Sequence, residues 1–512
     1  MSGALARLPD LLAAHVLLSA AALLLGLLIS LPLAVAASRR PALARAALGL
    51  ASLVQTIPAL ALLALFYPVL LALSALVGGG IPALGFLPSL LALTLYAVLP
   101  ILRNAVTGLT GIDPALIEAA DGVGMTAGQK LRLVQAPLAA PVAMAGIRTA
   151  AVWTIGAATL ATTVGQPSLG DLIFAGLQTQ DWALVLAGCI ASALLALVAD
   201  GLLGLVELGI ARRRTLYVWL GAALIALGIA AAGLPALSAA PVTHKTVVVG
   251  AKNFSEQFIL ARLIGQRLER AGYRVQYREG LGSAVIFRAL AAGDIGVYVD
   301  YSGTLWTNEM KRQDVPPRAQ MLAQLQAWAA RNHGVAMPGA LGFENAYAIA
   351  VRGADAARLK LETLDDLVRA APDMVLGSDL EFLERPEWAM VKRAYPLKFR
   401  ASRAYSPTFM YRALESGQAD AISAFSSDGR IAAMRLKVLA DPRGAIPGYD
   451  AVMLVSREKA KDAALMAALA PLAGAIPVDL MREANYRVDR DADKQSPEAA
   501  ARWLEGRLGR RR

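Results

Sequence analysis

Residue types that carry chemistry are sparse in this chain. Cys189 is the single cysteine, and His15, His244 and His333 are far apart. No disulfide and no Cys- or His-cluster metal site can be built from these. The patterns G-x-x-x-x-G-K-[S/T], G-x-S-x-G and H-E-x-x-H are absent, so there is no phosphate loop, nucleophile elbow or zinc helix. Neither a catalytic residue nor a metal or cofactor is expected. The remaining signals are positional. Asp200 and Glu207 stand seven residues apart in an apolar run, which puts both acids on one helix face. Acids inside a span are functional candidates, and near its cytoplasmic end they also act as interfacial anchors. Asp113-Pro114 supplies an N-cap and a first-turn proline for Glu118-Ala119-Ala120-Asp121. Gly124 then allows a sharp redirection, and Pro137 is expected to end the following segment before the chain re-enters the membrane.

Two different solvents surround these residues. Of 512 residues, 56% are hydrophobic and 17% charged, against about 25% charged in an average soluble domain. Residues 1–240 hold 11 Lys/Arg and 8 Asp/Glu, whereas 241–512 hold 39 and 31. The division predicts a transmembrane domain over 1–240 and a soluble domain over 241–512. Charge-free intervals cover 11–38, 46–102, 149–170, 182–199 and 215–244. A span needs about 20 apolar residues, so 46–102 holds two, with a turn at Gly78-Gly79-Gly80-Ile81-Pro82. Six spans are predicted. The first run is too long for a signal peptide and more spans follow it. Pro58, inside a span, marks a kink whose freed carbonyl needs another partner.

Ten of the eleven basic residues in 1–240 fall in the first, third and fifth loops: Arg39, Arg40 and Arg45; Arg103, Lys130, Arg132 and Arg148; Arg212 to Arg214. Lys and Arg are retained on the cytoplasmic side. The 103–148 loop is therefore cytoplasmic, and the N-terminus and the 241–512 half are external, in the periplasm or outside the cell. Topology accounts for the basic residues, and the Arg507-to-Arg512 tail is short and external, so nucleic acid is not an expected partner.

Glu118-Ala119-Ala120, three residues, Gly124, nine residues, then Val134-Gln135-Ala136-Pro137 resembles the EAA loop of ABC importer permeases. Val134 and Ala136 stand where isoleucine and leucine are usual. Gln55 to Leu60 and Ile147-Arg148-Thr149-Ala150 are also similar to that family. The resemblance implies an all-α, type I-like permease in the inner (plasma) membrane. Glu118, Ala119, Ala120, Gly124 and Pro137 would form the element that docks on a separate cytoplasmic ATP-binding subunit, and two copies of the chain would make the channel.

From Thr246 the apolar period shifts between strand and helix: a buried-strand run at 246–250, an amphipathic helix at 256–269, then further alternation to 451–455. An α/β domain with mostly parallel sheet and room for two lobes is predicted. Five segments recur in order: Gly250 to Gln257, Val299 to Thr304, Gly342 to Ile349, Asp379 to Arg385 and Ser426 to Ile431. Together they resemble the type II periplasmic-binding-protein domain of osmoprotectant importers, which take quaternary amines such as glycine betaine, choline and carnitine. With the permease motif, the whole chain is similar to fused permease/binding-domain members, ergothioneine importers included. The resemblance implies a non-enzymatic import protein whose solute is a small quaternary ammonium.

By the same resemblance, Tyr301, Tyr347, Phe425 and Tyr449 form an aromatic box, with Phe425 standing where tyrosine is more usual. A quaternary ammonium has no N–H to donate, whereas π faces attract it by roughly 0.5–2 kcal/mol each. Gln257 and Ser283, at predicted helix openings that attract anions, are the expected donors to the ligand's opposite end. Asp300 and Glu344 flank the box. A ligand-gated channel or sensor with a bilobed external domain is the alternative of another class; it has no need of the E-A-A loop, and a sensor needs a signalling domain for which no residues remain.

Overall fold

In hydrocarbon every backbone N–H and C=O must find its partner within the protein, so the apolar runs become helices. The computed structural model describes residues 7–78, 80–179, 181–238, 245–379, 382–490 and 492–509. Gly79, the 240/241 boundary, His244, Leu380-Glu381 and Arg510 to Arg512 lie outside the described residues. The chain divides into two compact units: Ser2–Ile173 with Ala183–Val242, and Thr243–Arg512 with Phe174–Trp182 and Met1.

The first unit contains α1 (Leu8–Ser38), α2 (Pro41–Thr56), α3 (Ala59–Leu76), α4 (Phe86–Thr110), α5 (Pro114–Gly122), α6 (Ala136–Ala158), α7 (Trp182–Ala211) and α8 (Thr215–Ser238). Among the described residues five helices are long and apolar enough to cross a membrane, and the bent pair α2/α3 makes a sixth if it counts as one span. That pair turns by 101° at Ile57-Pro58, where the proline has no N–H to continue the ladder. The Val54 carbonyl, left without an N–H at position 58, accepts from Ile57 N at 3.2 Å, and the Tyr96 hydroxyl donates to the Ile57 carbonyl at the break. α4 sits centrally, with Ala97 and Ile101 packed against Ala150 of α6. Close approach there depends on small residues: a Cβ at Gly146 would lie 2.5 Å from the Pro100 carbonyl oxygen.

Pro137 does not end a segment as expected. A helical run continues from Ala127 to Val164, passing through a π-turn at Leu131–Gln135. Proline is tolerated because it falls in the first turn after that π-turn, where the wider hydrogen-bond spacing has already displaced the regular ladder.

The second unit holds two five-stranded sheets, ordered β2-β1-β3-β10-β4 and β7-β6-β8-β5-β9. The strands are β1 (Thr246–Lys252), β2 (Arg274–Leu281), β3 (Val297–Tyr301), β4 (Ala336–Glu344), β5 (Tyr347–Arg352), β6 (Val375–Ser378), β7 (Ala401–Ala404), β8 (Ala421–Phe425), β9 (Leu436–Val438) and β10 (Asp450–Val455). The expectation of mostly parallel sheet fails. β10 is antiparallel to β3 and β4, and β5 to β8 and β9. The reason is topological: β5 and β10 follow the two crossovers between lobes, so each enters its sheet from the cleft side, against strands such as β3 and β8 that end there. Helices α9 (Ser255–Arg270), α10 (Ser283–Ala292), α11 (Pro386–Ala394), α12 (Pro407–Glu415), α13 (Val478–Asp489) and α14 (Pro497–Gly509) complete the lobes. Both crossovers run side by side, with the Asn345 N–H donating to the Tyr449 carbonyl at 2.9 Å.

Candidate functional site

The strand directions bring four rings to the mouth of the two sheets. Tyr301 ends β3, Phe425 ends β8, Tyr347 begins β5 and Tyr449 immediately precedes β10. Tyr347 and Phe425 are register partners with ring centroids 5.2 Å apart, and Tyr449 meets Tyr347 edge-on at 5.9 Å. All four line one cleft of about 130 Å³, together with Ser283, Phe254 and Asn345. Phe254 stacks at 6.1 Å on Tyr301 and 6.2 Å on Phe425, adding a fifth ring that sequence reasoning left inside a motif.

The hydroxyls of two rings are tied down behind the cleft. Tyr301 Oη donates to Glu256 Oε1 at 2.6 Å and accepts from Gln257 Nε2 at 2.9 Å. Glu256 also accepts from Asn345 at 3.0 Å and Asn485 at 2.8 Å, while burial pushes its carboxyl above the ordinary range against those bonds. Tyr449 Oη donates to Glu387. Burial drives both phenols far above their usual range. Such anchoring fixes ring orientation before a ligand arrives.

Gln257 is not among the cleft's lining residues. At 1% exposure it supports Tyr301 and accepts from the Lys252 N–H at 3.3 Å. Ser283 does line the cleft, at the start of α10. Asp300 is buried under Lys252 Nζ at 2.5 Å and Tyr298 Oη at 2.6 Å; Glu344 pairs outward with Arg318 at 3.4 Å. Neither acid adds free negative potential to the cleft.

Three further donor side chains that the sequence reading did not single out, Lys252, Thr304 and Arg385, stand on the lining. Arg385 Nη2 lies 3.0 Å from Glu387 Oε1 and 3.3 Å from Thr304 Oγ1, and its guanidinium sits 5.3 Å from the Tyr347 centroid. Burial works against the Glu387 carboxylate, yet Arg385 and Tyr449 hold it below its ordinary range. Lys252 Nζ is 5.4 Å from the Tyr301 centroid. The signal was present, since Lys252, Thr304 and Arg385 all stand inside the ordered segments. Asn345 Oδ1 is buried with no hydrogen-bond partner among the described residues, which leaves an acceptor in the cleft wall. The lining thus combines aromatic faces with the Asp379 carboxylate and two cations that are each already paired, Lys252 with Asp300 and Arg385 with Glu387.

At the other end of the chain, Asp113 caps α5 by accepting from Ala115 N at 2.9 Å. Glu118 and Ala119 are exposed and Ala120 is buried. Gly124 has φ +75° and forms the left-handed end of the helix: Met125 N donates to Ala120 O at 3.1 Å and Gly124 N to Asp121 O at 3.0 Å. Thr126 and Gln129 then form a capping box, and Lys130 reaches back to Asp121.

Residues 245–506 match the family described as the substrate binding domain of ABC-type glycine betaine transport systems. The chain belongs to that family. Residues 22–212 match the binding-protein-dependent transport system inner membrane component, so this family member joins a multi-pass inner-membrane permease to its own binding domain. It is 29% identical to an ergothioneine transport permease/ergothioneine binding protein of Helicobacter pylori (strain G27), over 89% of this chain and 82% of that one. It is 41% identical to a choline transport system permease protein of Bacillus subtilis (strain 168), over 38% of this chain and 83% of that one. A crystal structure of a glycine betaine/carnitine/choline ABC transporter shares 26% identity, with a TM-score of 0.46, over 51% of this chain and 98% of that chain.

Proposed function

We propose that this chain imports a carboxylated quaternary amine. Its ammonium group rests on Tyr301, Tyr347, Phe425 and Tyr449, and its carboxylate meets Arg385, Lys252 and the Thr304 hydroxyl, with Ser283 nearby. The observation that carries this reading is the presence of rings from both lobes and the Arg385 guanidinium on one cleft. Glycine betaine and carnitine fit it. Ergothioneine, which also carries a trimethylammonium and a carboxylate, is the second reading, favoured by the Helicobacter relative that aligns along 89% of the chain. Choline lacks the carboxylate. Calorimetry on the solubilised full chain tests the reading: the three zwitterions should include at least one ligand ten or more times tighter than choline. Replacing the nitrogen of glycine betaine by carbon should abolish its binding. Tighter binding of choline, or undiminished binding of the carbon isostere, would refute the proposal.

We further infer a division into permease (1–240, with the cytoplasmic loop at 103–148) and external binding domain (241–512). The basic-residue bias supports it, and it requires α2/α3 to count as one crossing, because otherwise Arg39 to Arg45 and Arg212 to Arg214 would face opposite sides. A separate ATP-binding subunit docks on Glu118, Ala119, Ala120 and Gly124, and two copies of the chain form the channel. The exposed Glu118-Ala119 edge supports docking.

A further inference from the structure

Three charges meet within the permease helices. On α6, Arg148 donates to Asp200 of α7 from Nε at 2.8 Å and from Nη2 at 2.7 Å, and to Glu207 of α7 from Nη1 at 2.8 Å. One guanidinium thus holds both acids, which lie roughly 10 Å apart along the helix. Gly204 lies between them in sequence, and a Cβ there would come 3.4 Å from Arg148 Cζ; the absence of a larger side chain leaves room for the guanidinium. The three side chains are mostly covered by the chain itself, with 34%, 33% and 26% left exposed.

Position gives the cluster its meaning. The helical run carrying Arg148 begins at Ala127, directly after the α5 loop, so the arginine is about 32 Å along a nearly continuous rod. Between the loop and Arg148 the rod departs from regular α-helix at the π-turn of Leu131–Gln135. Movement of the loop can be absorbed at that turn or delivered onward. Separating Arg148 from α7 would leave three partly covered charges unpaired between otherwise apolar helices, which is costly, so α6 and α7 cannot slip apart gradually. We propose that Arg148, Asp200 and Glu207 form a clamp that makes α6 and α7 move as one, delivering displacement of the cytoplasmic loop to α7. Arg148 is a positioning residue and does not touch the solute.

The inference rests on the import reading above. Its test uses the full chain in proteoliposomes with the ATP-binding subunit that co-purifies with it, and measures radiolabelled glycine betaine, with ergothioneine as second probe, imported per ATP hydrolysed. A residue needed only for folding lowers import and hydrolysis together and leaves the ratio unchanged. Arg148→Gln should lower the ratio at least tenfold, with ligand affinity and ATP hydrolysis within twofold of the parent. Gly204→Leu, which keeps all three charges but fills the slot, should do the same. Exchanging the charges, Arg148→Asp with Asp200→Arg, should recover at least a third of the ratio. The clamp is overturned if the parent imports and Arg148→Gln keeps its ratio, or if all variants lose import and hydrolysis in step. A parent that imports neither probe on ATP overturns the import reading, and the clamp with it.

Discussion

Tyr301 shows how much of a cleft residue lies outside the surface it presents. Its ring lines the cleft, while its hydroxyl closes a buried set of bonds with Glu256 and Gln257. Tyr301→Ala and Tyr347→Ala should each weaken ligand binding about tenfold or more, since one desolvated ring contributes on the order of 1.4 kcal/mol. Tyr301→Phe separates the two roles. Affinity should stay within about threefold, whereas the binding half should lose roughly 1–3 kcal/mol, the cost of a buried polar partner left unpaired; calorimetry and thermal unfolding of the same sample check both. Arg385→Gln should reduce affinity for carboxylated ligands at least tenfold and leave choline nearly unaffected, so the ratio of the two affinities is the readout. At this scale the ordered motifs located four rings that share one cleft, and a helix opening located Ser283 on its lining, whereas Gln257 lies behind it. That Arg385 and Lys252 reach the same cleft depends on tertiary distances that no local pattern encodes.

Elements were legible wherever one solvent dictated the pattern. Hydropathy located the spans, and Pro58 predicted a kink with a carbonyl needing a partner, which the Ile57 N–H supplies to Val54. Pro137 misled, because its effect depends on the π-turn before it, a feature of hydrogen-bond spacing without a residue signature. The mixed sheets were hidden for a similar reason: an apolar run of β5 or β10 reads the same in either direction, and only the crossovers set its sense. Gly124 belongs to this scale. Its left-handed φ of +75° costs a β-branched residue about 1–2 kcal/mol or forces the loop to refold. Gly124→Val should therefore abolish ATP-driven uptake while calorimetric ligand affinity is unchanged. Glu118→Ala, at an exposed position, should reduce uptake without altering the fold, checked by circular dichroism.

For the molecule as a whole, the lobes are joined by more than their crossovers. Asn485 of α13 bridges Glu256 and the Ser427 carbonyl, at 2.8 and 3.0 Å. Nearby, Asp489 accepts from Ser255 at 2.5 Å and lies 3.9 Å from Arg430, which is itself paired with Asp428 at 2.6 Å. Burial raises the Asp489 carboxyl to about 6 against the attraction of Arg430. Its unfolded value is about 3.9, so between pH 4 and 6 the folded form binds more protons and stability falls as pH rises through that window. Thermal unfolding of the solubilised chain should show the binding half gaining stability from pH 7 to 5, and Asp489→Asn should flatten that slope.

The side-by-side crossovers carry a kinetic consequence. Tyr347 and Tyr449 stand at the ends of the two short crossovers that join the lobes, and Asn345 ties those segments together. On the proposed site, a solute resting on these rings would load the swivel itself, so that its residence time would be set where its chemistry is read. Substitutions at Tyr347 or Tyr449 that change solute preference should alter dissociation rates by more than the equilibrium constants alone require, whereas changes at Tyr301, away from the swivel, should alter affinity with little effect on opening.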